Sequence, residues 1–150
     1  MPIEEAIDRL GGDLTECTDN CGGIQQDRPS GVLPRSLFLE RPSAPGRGCL
    51  AVGLNPGASR PAERRFYCNN GATYGQTKAY RFRINEIPYF KRTRQIIDQL
   101  GLTGPILWSN LAKCENEVGR KVLPPLQTFR RCTNKYLKRE LQLLPAEWVV

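Results

Sequence analysis

Six cysteines, no histidine and two asparagines that each close a short apolar run bound the chemistry this 150-residue chain can carry. Without histidine there is no imidazole base, no Cys–His nucleophile pair and no Ser–His–Asp triad, and most zinc enzyme sites are excluded. Amides, carboxylates, backbone groups and thiolates remain. Asn55 lies in Gly53-Leu54-Asn55-Pro56-Gly57, directly after Cys49-Leu50-Ala51-Val52, and Asn110 ends Pro105-Ile106-Leu107-Trp108-Ser109. Open α/β sheets bind ligands beyond the carboxyl ends of their strands, where a carboxamide can fix a water or read a ligand edge. Asn-Pro and Pro-Gly are also ordinary turn dipeptides, so a strand followed by a tight turn explains the same residues.

The thiols divide by position. Cys17 and Cys21 lie four apart in a polar, turn-rich loop, Cys114 follows the second apolar run, and Cys132 falls inside a helical pattern. Four such thiolates can hold an iron–sulfur cluster or a zinc ion in a protected polar pocket. The spacing lacks the two close pairs of a zinc ribbon, and buried unligated thiols are the plain alternative. Cys49, within a strand, and Cys68, beside Phe66-Tyr67, stand apart from this set. With no sign of secretion, a disulfide scaffold is not expected.

The formal charge is +7, and its distribution matters more than its size. Arg60, Arg64, Arg65, Lys78, Arg81, Arg83, Lys91, Arg92 and Arg94 face only Glu63 and Glu86 in one window, which holds the whole excess. Such a patch suggests a polyanionic partner, although a solvated Arg-rich loop would look the same. No apolar run approaches the ~20 residues of a membrane span, so a cytoplasmic protein with no membrane partner is the expectation.

Stepping outward from these residues, the chain suits a single domain over 1–150, with a leader over 1–47 and an α/β core from 48. Ile3, Ala6, Ile7 and Leu10 give a short helix ended by Gly11-Gly12. Residues 24–47 read as extended loop, with Ser36 to Leu39 a short edge strand. Strands are expected at 49–54 and 105–110, and a helix opens at Pro88 and is capped by Gly101. Residues 56–87 show no sustained period. A long helix over 126–144 carries Phe129, Cys132 or Thr133, Tyr136, Leu137, Leu141 and Leu144, and Trp148-Val149-Val150 opens a third strand. This order implies an α/β fold, a three-layer α/β/α sandwich with a short parallel sheet, incomplete at its C-terminal end.

Gly53-Leu54-Asn55-Pro56-Gly57, Arg65-Phe66-Tyr67, Trp108-Ser109-Asn110-Leu111-Ala112-Lys113-Cys114 and Cys132 in a helix running to Leu143-Leu144-Pro145 together resemble the uracil-DNA glycosylase superfamily. The resemblance runs from Gly48 to Val150. It implies hydrolysis of the N-glycosidic bond of a flipped nucleotide in DNA containing uracil or a related deaminated base, by a monomer. In the iron–sulfur branch, cysteines laid out like Cys17, Cys21, Cys114 and Cys132 hold a [4Fe–4S] cluster; here the first pair has three intervening residues instead of two. The first motif departs from that branch and looks like the Gly-x-Asn-Pro-Gly loop of the mismatch-specific and single-strand-selective relatives. On that resemblance Asn55 positions the attacking water, Gly53 and Gly57 shape its loop, Phe66 stacks on the base and Asn110 pairs with its edge. Arg60, Arg64, Arg65, Lys78, Arg81 and Arg83 become candidates for phosphate contacts. A second catalytic motif, often His-Pro-Ser, is expected beyond a fourth strand, so the 150 residues read as a piece of a longer protein, or else as a shortened relative that has lost the standard active site. A non-catalytic, cluster-stabilised or zinc-stabilised nucleic-acid-binding module is the alternative.

Overall fold

The computed structural model describes residues 1–81 and 87–150; Arg83 lies outside the described residues. In chain order the elements are α1 (Ile3–Thr15), β1 (Phe38–Glu40), β2 (Cys49–Gly53), α2 (Pro61–Asn70), α3 (Tyr74–Tyr80), α4 (Pro88–Gln99), β3 (Ile106–Asn110), α5 (Leu126–Cys132) and α6 (Lys138–Leu143). A π-helical segment over Thr133–Leu137 joins the last two.

β2 and β3 pair in parallel, with Cys49 opposite Ile106 and Gly53 opposite Asn110. β1 pairs antiparallel with the other edge of β3, Phe38 opposite Trp108, so the strand order is β1-β3-β2. The sheet is therefore mixed rather than wholly parallel: the leader doubles back as an edge strand, a position that a short, Pro-flanked segment suits. Beyond β2, Val149 forms an isolated parallel bridge to Cys49, with Leu50 N–H donating to Val149 O at 2.8 Å. The strand expected at Trp148-Val149-Val150 is reduced to that one isolated bridge, and the third strand of the sheet is β1.

Successive side chains of the strands alternate between two cores. Leu50 and Leu107 pack with Ile7, Leu10 and Leu14 of α1 and with Tyr74, Tyr136 and Leu137. Cys49, Ile106 and Trp108 point the other way, onto Ile97 of α4 and Leu102. Helices thus cover both faces of a small α/β sheet, which explains why β3 is buried along almost its whole length.

Three differences from the sequence expectation have local causes. α1 continues through Gly11-Gly12 to Thr15; Gly11 serves packing rather than termination, since a Cβ there would collide with the Tyr74 ring and the glycine lets α1 and α3 approach closely. The stretch 56–87 contains α2 and α3. Pro61 and the Thr73 cap, which accepts from Gln76 N–H at 3.3 Å, mark their starts. Only Tyr67 of α2 is fully buried and α3 spans 7 residues, so neither helix produces a readable stripe. The long C-terminal helix is interrupted by the π segment, whose extra residue per turn explains why Cys132 and Thr133 fit the helical period equally well.

Candidate functional site

A cavity of about 470 Å³ opens at the carboxyl ends of β2 and β3. That size falls within the roughly 300–1,000 Å³ of small-molecule sites. Gly53 to Ala58, Ser109 and Asn110 form its floor, and Phe38, Tyr80, Tyr89, Phe90 and Trp108 supply aromatic wall. Ser36, also on the wall, holds φ at 85°, a left-handed conformation that non-glycine residues rarely adopt.

Asn55 is held from behind. Its Nδ2 donates to Asn116 Oδ1 at 3.0 Å and to the Cys114 carbonyl at 3.3 Å. A carbonyl can only accept, so this bond fixes which end of the carboxamide is nitrogen. Asn55 Oδ1 has no donor among the described residues and is left to accept from a ligand or water. Asn116 is itself anchored, donating to the carbonyls of Arg120 at 3.3 Å and Val122 at 3.1 Å.

Asn110 faces the same cavity from the adjacent strand. Its Oδ1 packs over Gly53, where a Cβ would collide with it and approach Tyr89 Oη to 3.2 Å. Gly53 is thus required by close approach. The Asn110 carboxamide makes no hydrogen bond with a described residue, so its donors and acceptor are open to a ligand edge. Gly57 contributes backbone: its carbonyl accepts from Arg35 at 2.6 Å.

Phe66 is placed on α2 behind the cavity rather than on its described wall. Its ring packs against Tyr80 at 5.5 Å and Tyr67 at 5.9 Å between centroids, and Tyr80 lines the cavity in front of it. Trp108 carries Phe90 edge-on at 4.9 Å and Tyr89 at 6.3 Å. These are the stacking faces available to a planar ligand.

The basic residues do not form one class. Arg60 is exposed at the rim and Arg65 is exposed on α2. Lys78 is paired with Asp8 at 2.7 Å. Arg64 donates to Ser59 Oγ at 2.8 Å and reaches Glu115 at 3.3 Å. Arg81 lines the cavity.

Glu115 is the buried hub of the loop after β2. It accepts from Arg35 at 2.8 Å, Ser59 N–H at 2.9 Å and Gln25 at 3.0 Å. Burial opposes its ionisation, but Arg35 and these donors together hold its carboxyl below the usual range. The network ties the leader, the Asn55 loop and α2 to the residue following Cys114. A second buried pair underlies β3: Lys113 Nζ meets Glu140 Oε1 at 2.6 Å and donates to the Asn110 carbonyl at 2.7 Å. Ser109 Oγ donates to the other Glu140 oxygen.

Cys17, Cys21, Cys114 and Cys132 line one small cavity of about 20 Å³, together with Lys113, Arg131 and Lys135. Cys49 and Cys68 are elsewhere, buried in β2 and exposed on α2. Lys135 Nζ approaches Cys17 Sγ at 3.6 Å and Gln26 Nε2 donates to Cys114 Sγ at 3.5 Å. Burial pushes the Cys114 thiol up to about 12 and the Cys132 thiol to about 11. Burial also raises Cys21.

Among the described residues no three His, Cys, Asp or Glu side chains are close enough to hold a single metal ion. Zinc, with its sulfurs about 2.3 Å from the ion, needs such closeness. In a [4Fe–4S] cluster each thiolate binds its own iron, so the sulfurs stand further apart around the core. Cys17, Cys21, Cys114 and Cys132 supply four thiols, the donor type and number such a cluster takes. The void has room for about one water, and Cys17 and Cys21 on its wall are half-exposed while Cys114 is buried.

No protein-family profile, curated protein or solved structure matches the chain. The sequence carries no signal for Tyr80, Tyr89 and Arg35 on the cavity wall or for Asn116 and Glu115 behind it. Asn116 falls in an aperiodic stretch, and Tyr80 and Tyr89 carried no signal separating them from other aromatics.

Proposed function

We propose that this domain carries the base pocket and water-positioning loop of a uracil-DNA glycosylase-type hydrolase. The observation that carries the proposal is the pair of carboxamides, Asn55 and Asn110, at the ends of adjacent parallel strands on one aromatic-walled cavity. A base that has left the stack needs a flat apolar face and a hydrogen-bonding edge reader, and Asn110 with Tyr80, Tyr89 and Trp108 offers both.

Asn55 Oδ1 accepts a hydrogen bond from a water and holds it against C1′ of the flipped nucleotide. The water oxygen bonds to C1′ while the C1′–N bond breaks, its electron pair staying with the base and the water's proton passing to solvent. Charge separates in this step, so orientation and preorganised dipoles suffice and no strong nucleophile is needed. Cys17, Cys21, Cys114 and Cys132 would hold a [4Fe–4S] cluster, which when bound supplies a cross-link between the leader, β3 and α5. Arg60, exposed on the cavity rim, and Arg65, exposed on α2, would meet the phosphate backbone and make binding salt-dependent.

The experiment is release of free base from uracil-containing single-stranded DNA by the protein of the complete reading frame, scored as alkali-labile abasic sites. Base release supports the proposal. Salt-sensitive DNA binding without release supports the second reading, a cluster-stabilised nucleic-acid-binding module, which the convergence of the four thiols favours.

A further inference from the structure

The charges on the cavity wall do not cancel. Among its described lining residues the cations are Arg35, Arg60 and Arg81, and the anion is Glu63. Arg35 is fully answered, by Glu63 at 3.2 Å and Glu115 at 2.8 Å. Glu63 is in turn committed to Arg35 and accepts from the Tyr67 hydroxyl at 3.1 Å. Arg60 is exposed at the mouth, where water solvates it. Arg81 is different. It is half-buried at the end of α3, where its backbone N–H donates to the Lys78 carbonyl, and its guanidinium makes neither an ion pair nor a hydrogen bond with a described residue.

We propose that Arg81 is an anion-binding residue of this cavity, placed to meet negative charge on a planar heterocyclic ring held between the aromatic walls. Its substrate assignment rests on the excision reading: as the C1′–N bond breaks, the electron pair moves onto the departing base, and the guanidinium stabilises that anion without giving up a proton.

Lys78, three residues earlier, shows what a surface cation looks like here, exposed and paired with Asp8. The Arg81 guanidinium instead loses water without a contact ion pair among the described residues, an arrangement that an anionic ligand relieves. Desolvation lowers the Arg81 pKa, while Tyr67 and Glu63 act in the opposite sense; a guanidinium nonetheless stays charged. A cation fixed before the reaction and screened by Tyr80 and its neighbours acts in a lower dielectric than a solvated one. Such a placement favours the anion over the neutral base.

The test uses the whole chain and two probes. Calorimetric titration with barbiturate, a planar six-membered anion, and with neutral uracil should show barbiturate binding weakened about 10-fold to 100-fold by Arg81→Gln. Arg81→Lys should restore part of it, and uracil binding should change little. Equal barbiturate affinity in wild type and Arg81→Gln overturns the inference, as does a parallel loss for both probes. The second probe is single-turnover release of uracil and of 5-fluorouracil, the better leaving group. The Arg81→Gln penalty should shrink for 5-fluorouracil, and an equal penalty on both contradicts the assignment. Arg81-dependent anion binding by a protein that releases no base would sink the excision reading and sustain the anion site. Base release indifferent to Arg81 would do the reverse.

Discussion

Asn116 Oδ1 accepts from Asn55 Nδ2 at 3.0 Å, and that bond turns the Asn55 oxygen toward the cavity. Asn116→Ala removes the partner without touching the cavity. Base release should then slow by about 10-fold to 100-fold, the usual consequence of losing an orienting second partner, with DNA affinity unchanged. Single-turnover rates beside fluorescence anisotropy separate the two effects. A matching loss of affinity would mean that Asn116 merely supports the loop.

Gly53→Ala places a methyl group where Asn110 Oδ1 packs. The position is at the end of β2, so the sheet should survive while Asn110 turns away from the cavity. Uracil binding should weaken by about 10-fold, with the thermal midpoint shifted by only a few degrees. Titration calorimetry and a thermal melt test this together; unaltered uracil affinity would remove Asn110 as the edge reader.

Glu115 links folding to pH. Its folded-state carboxyl titrates below the unfolded value, so its contribution is complete above the ordinary carboxylate range and is lost as pH falls through the lowered folded value. Glu115→Gln should cost about 3 kcal/mol at neutral pH by leaving Arg35 and Arg64 short of a partner. Urea midpoints of wild type and variant should begin to draw together only as pH falls below the ordinary carboxylate range of about 4. A gap that persists unchanged into acid would assign the loss to packing.

The Lys113–Glu140 pair separates removal of one ion from removal of both. Lys113→Met should destabilise the chain by about 3–5 kcal/mol, because Glu140 is then buried without its cation. Lys113→Met with Glu140→Leu should recover much of this loss. Denaturant midpoints give the answer, and additive losses would contradict the pairing.

What was legible in the sequence tracks what is periodic or abrupt. β2 and β3 stood out because Gly and Pro stop short apolar runs, and α4 because Pro88 and Gly101 bracket it. Spacing groups the four thiols, and the fold places them on one cavity. α2 was invisible because its faces are mostly solvated, and β1 was assigned to the sheet without its antiparallel direction, which follows from long-range pairing. On the resemblance Phe66 is the stacking aromatic, with Tyr67 as the neighbouring alternative, whereas Tyr80 is the ring on the cavity wall. Whether Phe66 or Tyr80 reaches the cavity depends on how α2 and α3 pack, and at 5.5 Å between ring centroids the two occupy successive layers.

The thiol cavity makes its own prediction. Anaerobically purified protein should carry iron and sulfide with broad absorption near ~400 nm, as thiolate-ligated clusters do. Cys→Ser at 17, 21, 114 or 132 should deplete both, whereas Cys68→Ser should not. Zinc without sulfide in elemental analysis would reverse the assignment.

The central claim is that Asn55 positions the water. Its most direct measurement is single-turnover base release from uracil-containing single-stranded DNA by the protein of the complete reading frame, wild type against Asn55→Ala, at matched DNA occupancy. Wild type should release uracil, and Asn55→Ala should bind the same DNA with a rate lower by about 100-fold or more. Equal rates in the two proteins would contradict the account.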